Sequence, residues 1–554
     1  MQTKKQLLAA FSTANKTLIF RVLLCSLSTV VATLLIPVFV GKYYQLAFQT
    51  HSTRAKMFDV VFFDIQSIRV FFICFALLIA LKFAFDFWTK YGLGLVNERL
   101  SKSVREQLFH AQMNADLTFH QRKETGLYLL RYSGDLTAIQ NYLTKGIIMF
   151  ANDCTHLVLA VVILSFYNNT LTGLLLLCFP IIFVAVFLLN KRLKIITGKK
   201  RDVRSKNLSF VASRLHAFLT IKAFNRQNIE QDKFLKNSDK QYDFGRQYAF
   251  WYALIYALLP FMLYGILVGV LGVAYYLKHH QNQAIDGHDL VTFIMTLVSS
   301  IPVFKRILGV HFIWQTGDVS FNKILPILNG KTTPTISQKQ PLAPEGRIGM
   351  NDVAFSYAEN MPVFEKLTFH IEPHSTVLIN GGHQSGKSTL FKLLLGLYQC
   401  NTGYILIDGV YLHEFNEWEL RRKMTIASDE FPLLGKTVFE AVSYSRKEDR
   451  RKPTFAMLKQ LGFAHENDQE SVLNMPIFEG GKNLSYSQRK LLNLARALLT
   501  NKKIILLDEP FDGIDANVAD QVAQVLKGFQ SDHTLLVIDR SVPKRLSFDA
   551  TLQL

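Results

Sequence analysis

Hydrophobic residues in the first part of the chain fall into six long blocks separated by polar segments. A helix needs about 20 apolar residues to cross the hydrocarbon core of a bilayer, and each block is long enough. The pattern therefore predicts an all-α transmembrane domain with six spans. The blocks lie at about 18–47, 68–93, 144–166, 170–190, 248–278 and 290–314.

Two of the intervening polar segments, residues 94–143 and 191–247, are too long to be simple hairpins. Their apolar residues recur with helical spacing, which indicates that the membrane helices continue beyond the bilayer. At 1.5 Å per residue, about fifty residues running out and back reach tens of ångströms. We expect two long cytoplasmic arms.

Basic residues are concentrated in these same two segments, for example between Lys191 and Arg204. The loop at 279–287 has no Lys or Arg, and the loop after the first block has only Arg54 and Lys56. By the positive-inside rule both termini and the polar second half face the cytoplasm. Much of the net charge of +19 is therefore a topology signal, and we expect no nucleic-acid partner.

The N-terminal segment 1–17 is too polar for a signal peptide, so we expect the first span to be retained. The five cysteines lack metal-ligand spacing, and four lie within spans, which predicts apolar packing rather than disulfides.

After the spans, residues 331–346 contain three prolines and few apolar residues, which is typical of a linker. Apolar strand-like runs then alternate with helical ones, which predicts an α/β domain with a largely parallel sheet. The predicted organisation is a transmembrane domain at 1–330, a linker at 331–346 and an α/β domain at 347–554, which the next motif identifies as a P-loop NTPase domain.

A glycine-rich loop follows a predicted strand at 375–381 and precedes a predicted helix at 389–397. In this setting, backbone N–H groups and the helix N-terminus cradle phosphates. Lys387 would reach the β- and γ-phosphates, and Ser388 would hold Mg²⁺. We assign nucleotide binding to Gly381, Gly382, His383, Gln384, Ser385, Gly386, Lys387, Ser388 and Thr389.

A second apolar run, residues 504–507, ends in the two carboxylates of Asp508 and Glu509. Asp508 suits Mg²⁺ coordination, and Glu509 suits polarisation of the attacking water as the catalytic base. The alternative is a strand that ends in a solvated acidic turn.

Between these motifs, residues 484–488 (LSYSQ) open a strongly helical stretch, and here the chain resembles the ATP-binding cassette (ABC) family. Over nearly its full length it resembles an exporter half-transporter, with six spans fused to one nucleotide-binding domain. The resemblance implies ATP and Mg²⁺ as cofactors, and a second half-transporter, a lipid bilayer and an exported substrate as partners. It implies a bacterial inner or plasma membrane location with the ATP-binding domain in the cytoplasm.

The resemblance also implies roles for single residues and segments. Tyr357 would stack on adenine, Ser485 and Gln488 would belong to the signature that contacts the partner's ATP, and Asp515 would end the D-loop. The segments 119–139 and 214–227 resemble those that carry the short coupling helices of exporters.

The chain departs from the family pattern at the signature, usually LSGGQ, where Tyr486 and Ser487 replace two glycines. Glycine permits close backbone approach, so these side chains should weaken the clamp on ATP. An ungapped comparison places Asp429 at the glutamine of the Q-loop, where we expect it to contact the cofactor. The alternative is that this register is displaced.

The same comparison places Asp539 at the switch histidine, the donor that contacts the γ-phosphate, and a displaced register is again the alternative. Replacing a donor by an anion should cost about 10²-fold in rate. His533 lies six positions earlier and is not expected to substitute.

We therefore expect an exporter subunit that binds MgATP, hydrolyses it slowly and works as a dimer, either as a slow homodimer or as the less active half of a heterodimer. The alternative is an ATP-gated sensor or regulatory membrane subunit with little or no hydrolysis.

Ionisable residues in the spans give the only indications of cargo. Lys305 and Arg306 in the sixth span could attract an anionic or amphipathic substrate or could snorkel to the interface. Lys82 and Asp86 are spaced for an i, i+4 pair. Further ionisable residues in the spans are Asp153, His156 and His311.

Overall fold

The computed structural model describes most of the chain and divides it into two compact units, one of residues 1–114 and 120–330 and the other chiefly of residues 331–554. The described residues are 3–48, 65, 67–115, 128, 130–280, 287–330, 345–357, 361–415, 417–445, 447–464 and 468–554.

The membrane unit is entirely helical over its described residues and contains six helical segments long and apolar enough to span a bilayer, which confirms the predicted six spans. A π-helical turn, Thr144–Met149, joins helix Gly134–Leu143 to helix Phe150–Tyr167 within the third span. The helices are α1 Lys4–Ala14, α2 Lys16–Phe48, α3 Ile68–Met113, α4 Gly134–Leu143, α5 Phe150–Tyr167, α6 Asn169–His216, α7 Phe218–Ala223, α8 Gln227–His280 and α9 Gly287–Leu328.

Three of these helices extend well beyond their apolar blocks, as the periodicity predicted. Helix α3 continues to Met113 and α6 to His216, and α8 begins at Gln227, well before its apolar block. The short helix α7 lies between α6 and α8, inside the second segment compared with exporter coupling helices. Residues 119–127 and 129 of the first such segment lie outside the described residues, and its remainder includes the start of α4.

The strands described in the nucleotide-binding unit are β1 Ile348–Ser356, β2 Pro362–Ile371, β3 Thr376–Asn380, β4 Thr402–Ile407, β5 Val410–Tyr411, β6 Met424–Ala427, β7 Ile504–Asp508, β8 Thr534–Ile538 and β9 Ala550–Gln553. Five of them form a parallel sheet in the order β6-β7-β8-β3-β9, and four form an antiparallel sheet in the order β2-β1-β4-β5. The parallel sheet confirms the predicted α/β fold. One of the strand-like runs of the sequence, GYILIDG at 403–409, does not join the parallel sheet, because β4 pairs antiparallel with β1 rather than with the phosphate-loop strand.

The helices of this unit are α10 Lys387–Leu394, α11 Glu417–Lys423, α12 Val438–Ser443, α13 Arg451–Gln460, α14 Gln469–Asn474, α15 Tyr486–Leu499 and α16 Ala516–Lys527.

The central strands β7 and β8 are apolar along most of their length because helices cover both faces of the parallel sheet. Residues 504–507 of β7 and 535–537 of β8 are completely buried. Leucines of α15, including Leu492 and Leu494, pack on one face, and Leu390 and Leu394 of α10 pack in the cluster on the other. This core fixes the ends of the strands from which the site is built.

Candidate functional site

Four chemically important segments leave the same edge of the parallel sheet. The phosphate loop follows β3, Asp429 lies just after β6, Glu509 follows β7, and Asp539 follows β8. The carboxyl ends of parallel strands meet at one edge, which is where open α/β sheets bind ligands. The fold thus brings together motifs spread over about 160 residues of sequence.

The phosphate loop connects β3 to α10 and has the backbone that its glycines predict. Gly386 caps α10 with a φ of 92°, a left-handed conformation favourable only for glycine. A side chain here would also collide with β2, because a Cβ would lie 2.6 Å from Cγ1 of Val363 and 2.7 Å from Cζ of Phe364. Gly386 is therefore required by both conformation and space.

Lys387 folds back onto its own loop. Its Nζ donates to the carbonyl oxygens of Gly381, at 2.9 Å, and Gly382, at 2.7 Å. The ammonium thus lies over the loop where phosphates would be cradled, held by neutral acceptors. A phosphate oxygen makes a stronger charge-assisted bond than a carbonyl does, so nucleotide can replace these contacts.

Asp508 lies at the end of β7 beside the phosphate loop. Its Oδ2 accepts a hydrogen bond from Ser428 Oγ at 3.0 Å, and the Ser388 side chain also bonds to it. Burial raises the pKa of Asp508, and the charges of Glu509 and Glu430 raise it further, against the two hydroxyl contacts. A hydroxyl and an oxygen of a buried carboxylate in contact suit Mg²⁺, which takes few protein ligands and keeps phosphates and waters.

Glu509 has a left-handed φ of 51°, a strained conformation for a non-glycine residue. Its N–H donates to the carbonyl of Ile538 at 2.7 Å, and its carbonyl accepts from Lys490 Nζ at 2.7 Å. These contacts fix the backbone of the candidate base.

Tyr357 stands beside the phosphate-loop helix. Its ring lies 5.0 Å from that of Phe355 and 5.3 Å from that of Tyr398, and its hydroxyl is 3.0 Å from Oγ1 of Thr389. Half of its surface is exposed, so one face is open to a flat ligand.

Asp539 is buried, and its carboxylate accepts three backbone hydrogen bonds. Oδ2 accepts from Phe511 N–H at 2.9 Å, and Oδ1 accepts from Arg540 N–H at 2.7 Å and Ser541 N–H at 3.1 Å. The carboxylate therefore ties the end of β8 to the segment after Glu509. His533 lies elsewhere and bonds to Asn501 at 2.9 Å, as expected of a residue that does not substitute.

The signature residues Ser485 and Gln488 form a capping box at the start of α15. Ser485 Oγ accepts from the Gln488 N–H at 3.1 Å, and Gln488 Oε1 accepts from the Ser485 N–H at 2.9 Å. Their side chains thus stabilise the helix start. Asp515 occupies the N-cap position of α16 without a side-chain cap bond.

Tyr486, in place of a signature glycine, reaches two other loops. Its hydroxyl lies 2.8 Å from Oδ2 of Asp429 and 3.1 Å from Oδ2 of Asp512. Lys490, one turn further along α15, places Nζ 3.3 Å from Asp429 Oδ2. Asp429, predicted to contact the cofactor, is thus engaged by two side chains of its own subunit. Sequence analysis missed Lys490 and Ser428, because neither stands out before the strand ends are brought together.

The membrane unit has a cavity of about 450 Å³ lined by residues of α5, α6, α8 and α9 and of the π-helical turn. Lys145, Lys305 and Arg306 line it together with Asp153. Asp153, which is buried, accepts bonds from Arg306 Nε at 3.0 and 3.1 Å and from Nη2 at 2.6 Å. Three tyrosines of α8 also line the cavity, at positions 248, 252 and 256.

Other charges of the spans have local partners. The prediction of an ion pair between Lys82 and Asp86 is wrong, because Asp86 pairs instead with Lys90, whose Nζ lies 2.7 Å from Asp86 Oδ2. His156 is buried with Nε2 3.3 Å from Ser300 Oγ, and His311 is exposed.

A six-span helical domain joined to a P-loop α/β domain, with acidic residues at the neighbouring strand ends, defines a membrane-embedded P-loop NTPase. The chain belongs to the ABC transporter family. The family model of the ABC transporter transmembrane region matches residues 19–301, and that of the ABC transporter domain matches residues 364–512. The protein is a multi-pass membrane protein and an ATP-binding, ABC-type ATPase coupled to transport, of the bacterial exporter type.

Among curated proteins the chain is similar to ATP-dependent lipid A-core flippases. It is 24% identical to that of Nitrosococcus oceani over 457 residues, covering 82% of this chain and 76% of the relative. It is 23% identical to the flippase of Pasteurella multocida over 478 residues, covering 86% of this chain and 82% of the relative. A solved structure of a bacterial Atm1-family ABC exporter with ATP bound matches with a TM-score of 0.84, covering 98% of this chain and 94% of that one. At 18% identity, this likeness establishes the fold.

Proposed function

We propose that this chain is an exporter half-transporter that binds MgATP firmly and hydrolyses it slowly. The observation that carries the proposal is the engagement of Asp539. Its oxygens accept three backbone N–H groups and are buried, so the position offers the γ-phosphate no donor. Because phosphoryl transfer depends on donors placed around the phosphoryl oxygens, this loss lowers the rate more than the affinity.

The rest of the site supports binding. Lys387 would leave the carbonyls of Gly381 and Gly382 for the phosphates, and Tyr357 would stack on the adenine ring. Ser388 and Asp508 would hold Mg²⁺, which neutralises charge on the phosphates when bound.

The chain would act as one half of a dimer in which each signature segment completes the ATP site of the other subunit. Tyr486 stands where backbone approach to that ATP would be closest, and it is 40% exposed. This arrangement is compatible with a slow homodimer and with a heterodimer in which this chain is the less active half. In the heterodimer, an intact partner signature would complete the site built on Lys387 and Glu509.

The cargo would be an anionic amphipathic molecule. Asp153 neutralises the charge of Arg306, so the lining keeps a net positive charge from Lys145 and Lys305. The rings of the three tyrosines provide apolar surface in the same cavity. The curated relatives named above are ATP-dependent lipid A-core flippases, and a lipid cargo would be amphipathic.

An ATP-gated sensor is the second candidate, and the same Asp539 and Tyr486 contacts favour it. The pairing of Asp508 with Ser388 and the fixed backbone of Glu509 favour a hydrolytic enzyme, because a protein that only binds nucleotide has less need of a base.

ATP turnover and substrate transport in vesicles would test these proposals, for the chain alone, for the chain with a candidate partner half-transporter, and for Glu509→Gln in both settings. We expect slow turnover alone. Activity only in the pair, unaffected by Glu509→Gln, would assign the less active half, and no turnover in any combination would favour the sensor. Lys387→Ala should abolish MgATP binding while Lys366→Ala, an exposed lysine on β2, should not. Turnover of the chain alone at the rate of an ordinary exporter would overturn the proposal.

A further inference from the structure

Four side chains from three separate segments meet at the start of α15. Tyr486 and Lys490 come from the helix, Asp429 follows β6, and Asp512 lies after the candidate base. The Tyr486 hydroxyl contacts a carboxylate oxygen of each acid, at 2.8 and 3.1 Å. A phenol has one proton, so the two carboxylates compete for the same donor.

Lys490 supplies the cation for this cluster. It is 3% exposed, with Nζ 2.7 Å from the carbonyl of Glu509, 3.3 Å from Asp429 and 4.9 Å from the centre of the Tyr486 ring. A buried ammonium is stable only with partners of this kind. Lys490 therefore joins Asp429 to the backbone of the candidate base.

The protonation states agree with this geometry. Burial tends to lower the pKa of Lys490, but Tyr486 and Asp429 more than offset it, so its pKa is raised and the side chain stays charged. Burial raises the pKa of Tyr486, and Asp429 raises it further, against the opposing effect of Lys490. The phenol therefore keeps the proton that it donates.

The Tyr486 ring also fits closely against the segment after Asp512. Gly513 has a φ of 70°, and a Cβ there would lie 2.3 Å from Cε1 of Tyr486. The ring and hydroxyl together hold the start of α15 to residues 509–513, while Asp429 is held through the hydroxyl and Lys490.

We infer that Tyr486 and Lys490 are positioning residues that hold Asp429 against the 509–513 segment of the same subunit, and thereby keep the Q-loop acid away from bound nucleotide. We call these contacts the Asp429 clamp. Asp429 must leave the clamp before its carboxylate can hold Mg²⁺ or orient water beside the phosphates, so a closed clamp slows hydrolysis. The inference rests on one part of the proposed function, namely that this site hydrolyses MgATP slowly.

Hydrogen exchange of the full-length chain without nucleotide tests the clamp directly. Tyr486→Phe removes the hydroxyl and keeps the ring, so we expect the amides of 430–431 and 511–512 to exchange about tenfold faster, as loss of a hydrogen bond to a charged group implies. The control is Tyr404→Phe, which alters an exposed tyrosine of the antiparallel sheet and should change nothing there. Unchanged exchange in both segments would overturn the inference.

Steady-state ATP hydrolysis gives the second readout. Tyr486→Phe should raise kcat several-fold with the KM for MgATP unchanged, and Lys490→Met should also raise kcat. In the Asp429→Ala background neither substitution should change kcat further, because the clamp then has no carboxylate to hold. A lower kcat, or effects that multiply with Asp429→Ala, would contradict the clamp. If wild-type turnover were that of an ordinary exporter, the proposed function would fail, while the exchange comparison would still decide the clamp.

Discussion

Replacing Asp539 with alanine would remove the acceptor of three backbone N–H groups. The Phe511 N–H is buried and would have no partner, whereas those of Arg540 and Ser541 are partly exposed and can turn to water. An unsatisfied buried donor costs about 1–3 kcal/mol, and hydrogen bonds to a charged acceptor contribute about 1.5–3 kcal/mol each. With water compensating at two of the three sites, we expect a loss of about 3 kcal/mol.

Thermal loss of nucleotide binding by the full-length chain in detergent would measure this effect. In a domain of 150–250 residues, 1 kcal/mol corresponds to about 2–4 °C, so Tm should fall by about 6–12 °C. Asp539→Asn keeps one acceptor oxygen and should lose about half as much. Asp520→Ala, which breaks only an exposed contact of 3.8 Å with Arg545, should shift Tm little. An Asp539→Ala protein as stable as this control would refute the structural role of the carboxylate. Asp539 would then be assigned, as the sequence predicts, to contact with nucleotide.

Four further predictions concern the two units separately. Glu509→Gln should lower phosphate release by about 10²-fold or more if this chain carries the active base, with MgATP affinity retained in an equilibrium titration. Because the pKa of Asp508 is raised, its carboxylate ionises over a higher pH range than the ~3.9 of an ordinary aspartate, so Mg²⁺-dependent nucleotide affinity should rise with pH through that range. Asp508→Asn should remove this dependence in titrations with and without Mg²⁺; an unchanged pH profile would contradict the assignment. Arg306→Met should destabilise the membrane unit by about 2 kcal/mol, because buried Asp153 loses its partner, less than for a fully buried pair since the guanidinium is 46% exposed. Lys305→Met should leave stability unchanged but reduce transport of an anionic amphipath in vesicles, and unchanged selectivity would favour snorkelling.

The spans and the phosphate loop could be predicted because their signals are local. A run of about 20 apolar residues has one favourable environment, and the spacing of Gly386, Lys387 and Ser388 carries its own geometry. The parallel sheet followed from continuous apolar runs such as residues 504–507.

The contacts that decide the chemistry could not be predicted, because each joins residues distant in sequence. The Asp539 carboxylate lies 28 positions from the Phe511 N–H it accepts, and Tyr486 lies 57 positions from Asp429. The residue types showed that Asp429 and Asp539 carry negative charge where the family has neutral or donor side chains. Only the folded arrangement of the strand ends shows which N–H and O–H groups donate to these carboxylates.

The close fit of Tyr486 against Gly513 limits which substitutions these two positions tolerate. A glycine at position 486 would uncover Gly513 and remove the hydroxyl shared by Asp429 and Asp512. Conversely, a side chain at 513 would collide with the tyrosine ring and adopt a strained left-handed φ of 70°. The two positions are therefore coupled, and the effects of substitutions at 486 and 513 on the free energy of unfolding should not be additive.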